Sequence, residues 1–209
     1  MLNQASESVF TFFEHELPKK TGEDPRLTQV QMAIDILDFL HSSNKCYMAH
    51  APAGIGKSYA TLVPSIVYMK KKIGKVIYAT HSLNLQAQLK CDELHELKSV
   101  GLVDSYIVAK GLTNYLCQRD AMYLDHDISD KILKIVKFLR EGDRVEIEDK
   151  LGISIKNSIW DKISMKSNSQ CECCGYMANC PSKEHREKFN NQGHEVLVTN
   201  HNQLIQSVI

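Results

Sequence analysis

The chain is predicted to be an α/β protein, a parallel sheet carrying a phosphate-binding loop and interrupted by a mainly helical, cysteine-bearing insertion. Three observations predict it. A glycine loop, His50 to Ser58, lies between an apolar run and a helical segment. Short apolar runs at 76–79, 106–109 and 195–199 alternate with helical sequence. That alternation lapses between Lys110 and about Lys188, where four cysteines fall within ten residues.

The bulk composition narrows the classes. With 209 residues, 43% apolar and 24% charged, the chain has enough material for one full domain and a smaller second one. Zero net charge argues against a broad basic face, so any nucleic-acid contact must be local. No apolar run approaches the roughly 18 residues of a membrane span. Glu7, Glu14 and Glu16 break up the N-terminal apolar residues, which is not the layout of a signal peptide. The chain is therefore expected to be cytoplasmic, with its seven cysteines reduced and the clustered ones better suited to metal than to disulfides.

Residues 3–17 are apolar and aromatic enough for a packing helix. Next comes an amphipathic helix, with Val30, Ala33, Ile34, Leu37 and Leu40 at three- and four-residue spacing. Arg26, Gln29 and Met32 stand at its start as R-x-x-Q-x-x-M. A glutamine amide both donates and accepts, so it can read the edge of an adenine that a phosphate loop cannot recognise. Cys46-Tyr47-Met48-Ala49 is expected to be the strand entering the loop. In the loop, Gly54 and Gly56 allow backbone N–H groups to turn toward phosphate oxygens, Lys57 brings a cation, and the Ser58 hydroxyl suits Mg²⁺. Ala51 stands where the G-x-x-x-x-G-K-[ST] pattern has its first glycine.

Tyr59 to Lys72 reads as a helix, and Val76 to Ala79 as a second strand. Thr80 and Ser82, with the turn opening the following helix, make a cradle of hydroxyls and amides suited to a nucleic-acid phosphate. Asp92-Glu93-Leu94-His95 spells an approximate helicase magnesium box, but Leu89, Leu94 and Leu97 continue a helical period through it, so it is not assigned that role. Tyr106 to Ala109 and Glu195 to Thr199 are the remaining strands. The basic trios Lys131, Lys134, Lys137 and Lys183, Arg186, Lys188 read as solvated helix faces in preference to a strand path.

Cys171-x-x-Cys174 has the gap that brings two thiolates to one centre, and Cys180 and Cys117 complete four. Cys173 is left over, while Cys46 and Cys91 read as scattered packing cysteines. Four thiolates suit a tetrahedral zinc or a cubane iron–sulfur cluster, and spacing alone favours zinc as the commoner occupant.

Taken together, these motifs resemble the iron–sulfur superfamily 2 DNA helicases of the DinG/XPD type. The resemblance is carried by Arg26, Gln29 and Met32; by Ala51 to Ser58; and by Ala79-Thr80 with Leu85-Gln86-x-Gln88-Leu89. Lys110-Gly111, Asn114-Tyr115-Leu116-Cys117, Trp160, Cys180-Pro181 and Val198-Thr199-Asn200-His201 continue it. It implies a RecA-like lobe over residues 1–110, an iron–sulfur insertion over 111–190 and a return strand over 191–209. It implies that ATP meets Arg26, Gln29, Ala53, Gly54, Ile55, Gly56, Lys57, Ser58 and Tyr59, with Lys57 and Ser58 serving catalysis and Mg²⁺. A 4Fe–4S cluster then replaces zinc, on Cys117, Cys174, Cys180 and, in preference to Cys173, Cys171. Thr80, Ser82 and Gln86 are the implied contacts to single-stranded DNA.

In that family the return strand leads into a D-E-A-H box and a second motor lobe. Here Ile209 is the last residue, so Ser58 is the one expected magnesium ligand present and hydrolysis is expected to need a second lobe, in the same or another chain. The competing expectations are a catalytically inactive nucleic-acid or protein-binding module that keeps fold and cluster, and a zinc-bound nucleotide-binding protein unrelated to unwinding.

Overall fold

A computed structural model describes residues 2–124, 130, 132, 134, 140–167, 169–172, 174–190 and 193–208. Two compact units form, one from residues 1–108 with 193–209, the other from 109–192. Helix predominates, around a small parallel sheet.

The first unit opens with α1 (Leu2–Thr11), a π-helical turn (Phe12–Glu16) and α2 (Leu17–Thr21). Ala5, Val9, Phe12, Phe13 and Leu17 are buried here. Helix α3 (Leu27–His41) follows the expected period, burying Val30, Ala33 and Leu37, with Ile36 taking an inner place instead of Ile34. It packs on α4 (Lys57–Lys72), whose Ala60, Leu62, Val63, Ile66 and Val67 are also buried. Each fully buried aliphatic side chain contributes about 1.5–3 kcal/mol of transfer free energy. This shared face therefore holds the loop between the two helices in place.

The sheet contains β1 (Val76–Thr80), β2 (Tyr106–Val108) and β3 (Val196–Asn200) in the order β1-β3-β2, all parallel. The register pairs Val76 with Val196 and Thr80 with Asn200 on one side, and Tyr106 with Val196 on the other. The last strand in sequence is thus the central one, which is why Val196 and Val198 are fully buried. Between β1 and β2 the chain runs through α5 (Leu83–Gln88), a π turn (Leu89–Glu93) and α6 (Leu94–Ser99). Asp92 to His95 lie on this helical run, as the period predicts.

The expected strand at Cys46 to Ala49 does not form. A strand needs a neighbour for its N–H and C=O groups, and no strand among the described residues pairs with this run. Tyr47 and Met48 are 40% and 91% exposed, and the Tyr47 ring rests on Phe39 of α3 with centroids 5.3 Å apart. Cys46 and Cys91, expected as packing cysteines, are both exposed.

No helix among the described residues is long and apolar enough to cross a membrane.

Helix α4 ends on Ile73, which adopts φ 54° and is 98% exposed. A β-branched side chain in the left-handed region is strained by roughly 1–2 kcal/mol, and burial returns nothing at this position. Ile73→Gly is expected to raise stability by about 0.5–1 kcal/mol despite the entropy glycine adds to the unfolded chain. Urea midpoints at unchanged slope would report this.

Candidate functional site

The loop between α3 and α4 is shaped by two glycines with φ of 85° at Gly54 and 82° at Gly56, both left-handed. Gly56 caps α4, so Lys57 is the first helical residue and Ser58 the second. The first-turn N–H groups of a helix lack internal acceptors and carry partial positive charge, which makes this end of α4 suited to an anion. Lys57 Nζ lies on the loop itself, donating to the carbonyls of Ala51 at 3.0 Å and Pro52 at 2.7 Å.

Two side chains at the start of α3 hold the loop. Gln29, only 4% exposed, donates from Nε2 to the Gly56 carbonyl at 2.8 Å. A Cβ at residue 56 would sit 2.0 Å from that nitrogen, so any larger residue would displace the Gln29 amide as well as strain the backbone at φ 82°. Arg26 donates to the Gly54 carbonyl and pairs with Glu23. The R-x-x-Q spacing thus places both side chains one turn apart on the loop side of α3. With Nε2 committed to Gly56, Gln29 has its amide oxygen left to accept a bond.

Arg26, Gln29, Gly56 and Tyr59 line a cavity of about 130 Å³ with Phe13, Leu17, Pro18 and Thr21. The N-terminal segment, to which sequence reasoning attached no chemistry, is therefore a wall of the site. Its signal was the Phe12-Phe13 pair: the two rings meet edge to face at 5.2 Å, and Phe12 in turn meets the Tyr59 ring at 5.6 Å. The Tyr59 hydroxyl donates to Glu96 Oε2 at 2.5 Å. Burial, then the hydrogen bond and charge of Glu96 and the nearby Glu93 and Asp92, hold that phenol far above its ordinary range.

Of the three residues expected to face DNA, Gln86 is fully buried and Thr80 is 6% exposed. Thr80 Oγ1 donates to the Ser82 carbonyl at 3.2 Å, and Ser82 Oγ accepts from the Leu85 N–H as the cap of α5. Ser82 alone of the three is open enough to touch a strand directly. Gln86 is expected at the strand only through the family resemblance of its motif. Here it faces the same side as buried Leu89.

In the second unit the four selected cysteines, Cys117, Cys171, Cys174 and Cys180, line one small cavity with Leu116, Arg119, Met165 and Tyr176. Cys173 lies outside the described residues, as do Lys131 and Lys137. Residues 115–117 form the rail that sets Cys117. Leu116 N–H donates to the Gly142 carbonyl at 2.8 Å, Cys117 N–H to Ile163 at 2.6 Å, and Met165 N–H to Tyr115 at 2.8 Å. Ser182, 1% exposed, donates to the Leu116 carbonyl at 2.8 Å and so ties the Cys180 end of the unit to the same rail. Trp160 closes the side, with its indole N–H on the Thr113 carbonyl at 2.7 Å and the Arg144 guanidinium 5.2 Å from its ring.

Burial is the main cause that pushes the Cys117 thiol up to about 11, and the Asp120 carboxylate adds to it. Cys171 is raised too, by burial and then by the neighbouring Cys180 and Cys174. The thiols surround the cavity without converging on a point: among the described residues no three His, Cys, Asp or Glu side chains could hold a metal ion. A tetrahedral zinc, with Zn–S near 2.3 Å, needs its sulfurs only about 3.8 Å apart. A cubane takes one thiolate at each of four separate irons, so its ligands stand wider.

The second unit also contains a buried ion pair that no sequence spacing announced. Lys110 Nζ sits 2.7 Å from Asp143 Oδ2 and 2.9 Å from Oδ1, with side chains 11% and 5% exposed. Asp143 Oδ1 in addition caps the helix Arg144–Leu151 through the Val145 and Glu146 N–H groups. Both lysines of the far basic trio are paired locally: Lys183 meets Glu187 at 3.2 Å and Lys188 meets Glu184 at 3.9 Å.

This chain is similar to ATP-dependent DNA helicases. DinG of Escherichia coli K12 is 24% identical over 200 residues, covering 85% of this chain and 28% of that protein. DinG of Salmonella typhimurium matches over the same extent and at the same identity. YoaA of Haemophilus influenzae is 31% identical over 125 residues, 59% of this chain and 18% of that protein. The chain therefore spans little more than a quarter of the length of the curated relatives it matches. No protein-family model matches it.

Removing one partner of the buried pair leaves an uncompensated charge, which costs about 3–5 kcal/mol. Asp143→Ala, which also removes the cap, is expected to lose at least that much in urea unfolding. Lys110→Met combined with Asp143→Leu is expected to recover most of the loss. Equal losses in the single and double variants would show that the cap, and not the pair, carries the effect.

Proposed function

We propose that this chain is the ATP-binding part of a DNA helicase, a RecA-like lobe with a 4Fe–4S insertion, which translocates on single-stranded DNA once a second lobe completes it. The observation that carries the reading is the left-handed glycine pair opening α4, held by Gln29 and Arg26 beside a cavity of about 130 Å³. Similarity to ATP-dependent DNA helicases supplies the reaction class.

In this reading the loop N–H groups and Lys57 hold the phosphates, and Lys57 leaves the Ala51 and Pro52 carbonyls to do so. Ser58 offers its hydroxyl to Mg²⁺, and Ala53, Ile55 and Tyr59 complete the surroundings of the nucleotide. Arg26 and the free oxygen of Gln29 face the base. Cys117, Cys171, Cys174 and Cys180 hold the cluster, which supplies a multidentate tie that stiffens the unit. Metal binding there releases protons, because thiols raised by burial must ionise. Ser82 serves DNA, with Thr80 and Gln86 acting from behind it by fixing the β1–α5 turn.

The test is equilibrium binding of a fluorescent ATP analogue with Mg²⁺. Lys57→Ala is expected to weaken it by one to two orders of magnitude, the loss of a charged phosphate contact, at unchanged thermal stability. Binding that survives Lys57→Ala, or its absence in the unmodified chain, would overturn the nucleotide assignment and favour a module that keeps the fold without the motor.

A further inference from the structure

Tyr59 is the first-turn residue of α4 that faces the cavity beside Gly56, and its position is not set by its own helix. Its hydroxyl is held by Glu96 of α6, 37 residues away, and its ring is backed by Phe12. Glu96 is well suited to hold it. One oxygen takes the Tyr59 hydroxyl, while the other, Oε1, is a buried atom with no hydrogen-bond partner. Glu93, 5% exposed and one turn earlier, has a buried unpartnered Oε2 as well, and its Oε1 accepts from Gln88 at 3.0 Å.

We propose that Glu96 is a positioning residue for the base end of the nucleotide site. It fixes the Tyr59 ring as a wall of the cavity, and so couples the placement of α6 to base binding. The inference rests on the nucleotide reading above and adds a residue that contacts neither loop nor ligand. Without the Glu96 acceptor the phenol turns toward water and the wall is lost. The phosphate loop, held separately by Gln29 and Arg26, is untouched.

The experiment compares ATP with inorganic triphosphate, which uses the phosphate loop and has no base. Glu96→Ala is expected to weaken ATP binding about tenfold, the size of one lost hydrogen bond to a charged group, and Tyr59→Ala, which removes the wall itself, at least as much. Triphosphate binding is expected to stay within twofold. Glu96→Gln, which retains an acceptor oxygen, is expected to restore most of the ATP affinity. Circular-dichroism melting of each variant reports folding. If ATP and triphosphate fall together, or if neither moves, the positioning role is wrong. Should the unmodified chain bind neither compound, the nucleotide reading itself fails.

Discussion

The hydrogen bond from Gln29 Nε2 to the Gly56 carbonyl joins the first turn of α3 to the first turn of α4, and the shape of the site depends on it. It works because residue 56 has no Cβ and can take a positive φ, leaving the glutamine amide where a side chain would otherwise stand. The packed α3–α4 face behind it prevents either helix from drifting. Arg26 repeats the connection one turn back at Gly54. The short R-x-x-Q string is thus first a device for holding the loop.

In the second unit the same economy of contacts brings together cysteines more than fifty residues apart. A three-residue rail, 115–117, donates to Gly142 on one side and, on the other, donates to Ile163 and accepts from Met165. Gly142 permits the close approach of Ser182, since a Cβ there would lie 2.7 Å from the Ser182 nitrogen. The Lys110–Asp143 pair locks the start of the rail to the helix that follows. These restraints act on Cys117 and Cys180 at the two ends of the unit, so the thiols share one cavity because the backbone around them is held.

Much of the fold was legible, for physical reasons that differ by element. The period of α3 and the apolar runs of β1 to β3 are visible because burial dictates residue type at each position. The helical reading of Asp92 to His95 rested on the same signal. Cys46 to Ala49 misled because a four-residue apolar run says nothing about whether a partner strand is available. Gln86 misled because residue type does not reveal which side of a six-residue helix faces inward. The cavity wall from Phe13 to Thr21, the Lys110–Asp143 pair and the Tyr59–Glu96 bond join positions with no fixed spacing, and only the folded chain displays them.

The central claim is that a phosphate loop and an iron–sulfur unit belong to one motor fragment, and the cysteine cavity is where it is most exposed to contradiction. Iron, acid-labile sulfide and zinc should be measured per chain after anaerobic purification, alongside the visible spectrum. The account predicts about four irons and four sulfides with a broad visible absorption, reduced sharply in Cys180→Ser. One zinc per chain with no visible band, or metal content unchanged by Cys180→Ser, would contradict it.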